Sequence, residues 1–221
     1  MDVVLYNLSA GEPAVRAIAE GVSEHTTSNL SAGVTEDGIV HLLAAAVFGR
    51  DNQSRVYHLR FDPGKSEWLE SEVLFERSDF TGSITPCLVA EGRTVDAFWL
   101  RESGRDTLAS NGLYAYRIGE SAAWRLTNAT GDYTVLPNAD GHGALLVGVA
   151  INPHEDGRIL WFIRRGDVWK TAGEIDLGVK LYTLCTSGNE PFALWRDPSG
   201  TIHAALLAEG GLHLIDLKLP E

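Results

Sequence analysis

An all-β chain of repeated small antiparallel sheets is what the sequence predicts, and three observations carry that prediction. First, one phrase recurs: an apolar run, a short turn ending in glycine, then a second run. It stands at residues 30–47 around Asp37-Gly38, at 144–164 around Asp156-Gly157 and at 192–208 around Ser199-Gly200; 87–100, around Glu91-Gly92, fits with one residue added. Second, the runs 55–61, 112–118 and 158–164 each lead within a few residues to a tryptophan: Trp68, Trp124 and Trp169. Third, the runs are rich in Val, Ile, Leu, Tyr, Phe and Trp, and 23 Gly with 8 Pro punctuate them, the pattern of strands and turns. Val15 takes the tryptophan place after the run 3–8, so the four positions recur roughly every 45 to 55 residues. A period of that length, with about four strands in each, is the signature of β-propeller blades.

Taken in order, the chain opens on two short strands, 3–8 and 14–16, which read as the third and fourth strands of a blade. Residues 42–47 are alanine-rich and could pass for helix, but their place between turn signals inside the repeat makes them strand. Asn111-Gly112, Asp156-Gly157 and Gly210-Gly211 offer residues that tolerate positive φ in tight turns, and Pro63-Gly64 marks another. Residues 180–187 add a strand-like run. The end is the plainest stretch: a run from 190, the turn Asp197-Pro-Ser-Gly200, a second run, Gly210-Gly211, and a third run to Leu217. Alternation of apolar and polar residues is weak in these runs, as befits strands buried on both sides. The three tryptophans are therefore expected to be structural.

At about 46 residues per blade, 221 residues make about five blades in one domain spanning 1–221. Four blades with an added hairpin is the alternative, and an open half-ring that closes only on dimerisation is a third. Pairing N-terminal with C-terminal strands in one blade would close the ring and remove exposed sheet edges.

Composition narrows the function. Apolar residues make up 44%, enough for a core. Thirty acidic against eighteen basic residues give a net charge of −12, which repels phosphate backbones, so nucleic acid is not an expected partner. The apolar runs fall short of the roughly 20 residues that cross a bilayer. The N-terminus lacks a basic region followed by an apolar core, so the expected location is cytoplasmic, with secretion open if a leader has been removed. Cys87 and Cys185 are too few for a disulfide scaffold, and they read as small buried side chains.

The candidate site residues come from equivalent places in the repeat. His41 and His203 follow their turn glycines by two or three residues, and Asp96 lies close to the same place in a third repeat. Several repeats projecting polar side chains towards one axis would make a ligand-binding site of His41, Asp96 and His203; hydrogen bonds between strands are the plainer role for such residues. Among the aromatics Tyr114, Tyr116, Trp99, Trp161 and Trp195, any exposed ring could stack on a sugar, and Trp195 is the one assigned to the site. Asp96, inside Thr-Val-Asp-Ala-Phe-Trp, is the one carboxylate that a turn does not explain. It is the weak candidate for a catalytic acid tuned by burial, with pairing to an arginine as the structural alternative. Asp37, Glu91, Asp156 and Asp197 sit at turns. Asp140-Gly-His142 and His154-Glu155-Asp156 match no metal-binding spacing, and no phosphate-cradling loop stands out. No metal and no cofactor are expected.

Two phrases, Pro191-Phe-Ala-Leu-Trp-Arg-Asp-Pro-Ser-Gly-Thr-Ile-His203 and Gly112-Leu-Tyr-Ala-Tyr-Arg117, resemble the sialidase-like and five-bladed glycosidase-like β-propellers. The resemblance is generic. It implies a propeller that meets ligands at the tunnel mouth, but the Asp-box Ser-x-Asp-x-Gly-x-Thr-Trp is absent and no catalytic residue carries over. The expected function is a non-catalytic module binding a glycan or a protein surface, and a homo-oligomer is allowed. A glycoside hydrolase using Asp96 with a second acid, and a platform subunit of a larger complex, are the alternatives.

Overall fold

The computed structural model describes residues 2–6, 13–17, 29–47, 54–77, 86–101, 111–129, 131–136, 145–150, 156–180 and 192–217. These residues form five antiparallel sheets, and none of them is helical. The first sheet is a hairpin of β1 (Asp2–Tyr6) and β2 (Pro13–Ala17), with Val4 opposite Val15. The second holds β3 (Asn29–Val34), β4 (Val40–Val47), β5 (Ser54–Asp62), β6 (Glu67–Trp68) and β7 (Glu72–Arg77), the last two sharing β5 as partner. The third runs β8 (Pro86–Glu91), β9 (Thr94–Arg101), β10 (Gly112–Arg117) and β11 (Trp124–Thr127), and the fourth β12 (Gly131–Leu136), β13 (Leu145–Ala150), β14 (Arg158–Arg165) and β15 (Val168–Asp176). The fifth has three strands: β16 (Phe192–Arg196), β17 (Ile202–Ala208) and β18 (Gly211–Leu217).

Each of the three tryptophans lies opposite its preceding run: Phe61 faces Trp68, Ala115 faces Trp124 and Arg164 faces Trp169. The run and the tryptophan are thus consecutive strands of a hairpin. Gly38, Gly92 and Gly200 have φ of 82°, 60° and 92° at their turns, where a Cβ would be strained. Gly112 differs from expectation. It begins β10 rather than turning the chain, and a Cβ there would overlap the Thr127 carbonyl oxygen, so it permits a close approach of backbones.

One further expectation needs correction. The phrase at 144–164 is grouped from sequence with 30–47 and 192–208, which open their sheets, but β13 and β14 are the middle strands of their sheet and β12 precedes them. The strand-like run from 181 and Cys185 lie outside the described residues, as do Asp140, His142, His154 and Glu155. The expected joining of the chain ends in one blade is absent from the described pairings. β1–β2 and β16–β18 are separate sheets.

The second to fifth sheets stack face to face in chain order, and strand alternation decides which neighbour each residue meets. From β9, Val95, Ala97 and Trp99 point to the second sheet, where they join Leu43, Ala45 and Val56. Phe98 and Leu100 point the other way, to Leu160, Phe162 and Trp169 of the fourth. From β14, Ile159, Trp161 and Ile163 meet Ile202, Ala204 and Leu206 of the fifth. Both faces of the inner sheets are covered, which is why their runs read as continuously apolar. Cys87 is a small buried core residue, as expected.

Candidate functional site

The three sequence-selected polar residues occupy matching positions. His41 and His203 are each the second residue of the middle strand of their first hairpin, and Asp96 is the third residue of its own. His41 and Asp96 lie on the faces that their sheets turn towards the next sheet along the chain, and His203 lies on the outer face of the last sheet. They do not converge on a shared site; each belongs to its own sheet.

Asp96 is fully enclosed between the third and fourth sheets. Its Oδ1 accepts from Arg117 Nε at 2.9 Å, and its Oδ2 accepts from Arg164 Nη1 at 3.0 Å, Trp169 Nε1 at 2.9 Å and Arg117 Nη2 at 3.3 Å. Arg164 also pairs with Glu91, and Arg117 with Asp167 at 2.7 Å. Four charge-assisted or indole donors thus surround the one carboxylate. The arginine pairing weighed from sequence is therefore present twice over. Glu91, which the turn alone seemed to explain, is part of the same network. An open cleft of about 420 Å3, lined by Thr94, Arg117, Glu120, Trp124 and Asp167, lies beside the network at Arg117.

His41 is buried in the junction between the second and third sheets, on the face that also carries Leu43 and Ala45. It touches His58, which in turn touches Glu72. Neither His58 nor Glu72 is selected by the sequence, because only the pairing of His58 with Glu72 across β5 and β7 brings them into line.

His203 and Trp195 do come together. They are cross-strand partners on β17 and β16, with ring centroids 5.2 Å apart and planes 26° from parallel. The His203 ring lies between two carboxylates, Nδ1 at 2.7 Å from Asp216 Oδ1 and Nε2 at 3.2 Å from Asp197 Oδ2. Hydrogen bonding to Asp197 and then Asp216 raises the His203 pKa above its ordinary value. Asp197 Oδ1 accepts from the Ser199 hydroxyl at 2.6 Å and from the amides of Ser199 and Thr201, each at 2.9 Å. Those bonds, the Ser199 hydroxyl foremost, hold the Asp197 carboxyl down at about 2.

Around this pair the fifth sheet turns an apolar face to solvent. Trp195 is 40% exposed, Leu207 39%, and Leu212 and Leu214 69% each. Alternation puts Trp195, His203, Ala205, Leu207, Leu212, Leu214 and Asp216 on one face, with Leu207 opposite Leu212 and Ala205 opposite Leu214. Ile202, Ala204 and Leu206 on the other face are buried against the fourth sheet. The leucine row was not selected from sequence, although the period-two pattern of Leu212, Leu214 and Asp216 signals a strand with one face of its own. Of the other aromatics considered for sugar stacking, Trp99 and Trp161 are core residues. Among the described residues no group of three or more His, Cys, Asp or Glu could hold a metal, and no helix is long and apolar enough to cross a membrane.

No protein family matches the sequence, and no curated protein matches it. Among solved structures the chain is similar to an endo-arabinase from Bacteroides thetaiotaomicron, with 11% identity over 87% of this chain and 75% of that one, at a TM-score of 0.46. It is also similar to TolB from Acinetobacter baumannii, with 15% identity over 99% of this chain and 49% of that one, at a TM-score of 0.45. The chain thus corresponds to about half the length of that TolB.

Proposed function

We propose that the chain is a non-catalytic binding module whose recognition surface for a protein partner is the outer face of the fifth sheet. The observation that carries the reading is the row of Trp195, Leu207, Leu212 and Leu214 standing exposed on one flat face. Single exposed leucines need no explanation, but three beside a tryptophan form a contiguous patch of the kind that marks interaction sites. Covering each such side chain would contribute roughly 1.5 to 3 kcal/mol. Asp197 and Asp216 lie at one end of the row, on a chain of net charge −12. The complementary partner has an apolar centre and a basic rim, whereas a second copy would bring another twelve negative charges. In this reading the consecutive sheets are blades of an open propeller-like arc, which leaves one blade face to a partner. A catalytic role for Asp96 gains nothing from its surroundings, because four donors already occupy its oxygens.

The test is selection from a displayed random-peptide library against the whole chain, with the Leu212→Glu/Leu214→Glu variant as counter-target and a glycan array and sedimentation run alongside. Peptides rich in apolar and basic residues that bind the natural chain at least about tenfold more tightly than the variant would support the reading. Peptides indifferent to the variant, a glycan bound in their place through Trp195, or self-association abolished by the variant would each overturn it.

A further inference from the structure

A line of hydrogen bonds crosses the second sheet on the side facing the third, from Asp37 through Thr35, His41 and His58 to Glu72. Thr35 Oγ1 is 2.6 Å from Asp37 Oδ1 and 3.3 Å from His41 Nε2. His41 Nδ1 is 2.9 Å from His58 Nε2, and His58 Nδ1 is 2.9 Å from Glu72 Oε1. The planes of the two imidazoles lie 12° from parallel, and both rings are buried, while Asp37 and Glu72 are exposed ends.

Counting protons along this line gives an asymmetric result. Burial lowers the His58 pKa and favours its neutral ring, and the Glu72 carboxylate can only accept, so neutral His58 carries its proton on Nδ1 and its Nε2 is a bare acceptor. His41 must then donate from Nδ1, which leaves its own Nε2 bare. Thr35 has a single hydroxyl proton, and the carboxylate of Asp37 at 2.6 Å takes it. Two lone pairs therefore face each other between His41 Nε2 and Thr35 Oγ1. The line is one proton short, and the vacancy lies at a known atom.

We propose that His41 Nε2 is a proton slot and that filling it in mild acid loosens the junction between the second and third sheets. A proton there completes the bond to Thr35 but creates a cation in an apolar junction. Arg60 of β5 stands directly opposite His41 in register, adding like charge, while Asp37 attracts the new proton. From the remaining elements the facing ionisable groups are His58 of β5, Glu72 of β7 and, on the third sheet, Tyr116 of β10 beside Glu72. Burial first, then His58 and Arg60, lowers the His41 pKa to about 4. A base whose folded pKa lies below its unfolded value of 6.5 contributes stability that is complete above 6.5. That stability is lost as pH falls towards 4. Among the described residues, the bonds that cross the junction include Leu88 N–H to Ser31 Oγ at 2.9 Å, Glu36 N–H to the Gly92 carbonyl at 2.8 Å and the exposed Arg93–Glu36 ion pair.

The experiment is a pH titration of the whole chain with nitrogen-labelled histidine, with amide exchange followed in parallel. Expected at neutral pH are two neutral imidazoles, both protonated on Nδ1, with His41 Nε2 taking a proton only well below 6.5. Exchange at Leu88 and Glu36, corrected for intrinsic rates, should quicken at least about tenfold between about pH 7 and 5. His41→Gln should abolish that pH dependence. Should that variant not fold, Thr35→Val, which removes the acceptor for the added proton, should lower the His41 midpoint further. A His41 tautomer protonated on Nε2 at neutral pH, a His41 midpoint near 6.5, or an unchanged acceleration in the variant would overturn the proposal.

Discussion

Trp169 on β15 donates its indole N–H to Asp96 Oδ2 on β9 at 2.9 Å, across the junction of the third and fourth sheets. The bond joins residues 73 apart in sequence. Around it Arg117 and Arg164 neutralise a carboxylate that has no access to solvent.

Removing that carboxylate should be among the most damaging single changes in the chain. Asp96→Ala strands two guanidinium groups and an indole N–H, and is expected to cost about 3 to 5 kcal/mol in urea unfolding. Trp169→Phe keeps most of the ring and loses the donor, and should cost about 1 to 3 kcal/mol. A smaller loss for Asp96→Ala than for Trp169→Phe would show that the network does not hold the junction.

Gly173 lies opposite Trp161, and a Cβ on it would overlap the indole. The ring belongs to the tight contact between the fourth and fifth sheets. Gly173→Ala should therefore destabilise by about 1 to 3 kcal/mol as an overpacking change. Thermal unfolding that matches the natural chain would show that the contact can shift at no cost.

Leu212 and Leu214 should behave in the opposite way. Both are mostly exposed, so Leu212→Ser and Leu214→Ser are expected to change unfolding free energy by no more than about 0.5 kcal/mol. Larger losses would mean that the row packs on the chain itself and is not a free surface.

The clamp on His203 makes a prediction about pH whose direction differs between its members. Asp197 is depressed to about 2 from 3.8, so what it contributes is present above 3.8 and lost as acid brings pH down towards 2. His203 is raised above 6.5, so its contribution is complete below 6.5 and lost as alkali takes pH through the folded value. A proton NMR titration should place the His203 midpoint above 6.5, and Asp216→Asn should move it down. A midpoint at or below 6.5 in the natural chain would contradict the clamp.

Much of this arrangement was readable before any coordinates. The run-then-tryptophan rule is the hairpin of third and fourth strands, and even Val15 lies opposite Val4 as its tryptophan-like place required. Strand β12 does not stand out because Gly131-Asp-Tyr-Thr-Val-Leu136 is short and partly polar, so the phrase at 144–164 is legible as a hairpin but not as the middle pair of its sheet. The matching placement of His41, Asp96 and His203 was also readable, because turn glycines count positions along a strand. What covers each of them was not, since that depends on which sheet comes next: His41 and Asp96 meet one, and His203 faces solvent. His58 and Glu72 were invisible for a related reason, as they meet His41 only through the register of two further strands.

The bond network at Asp96 also bears on how the chain comes apart. With donors drawn from β10, β14 and β15 and the acceptor on β9, opening the fourth sheet removes two of the four donors of Asp96, and opening the third leaves the Arg164 guanidinium without Asp96 or Glu91. The two should therefore exchange their slowest amides as one cooperative block drawn from β8 to β15, more tightly coupled than their separate hydrogen-bond ladders would make them.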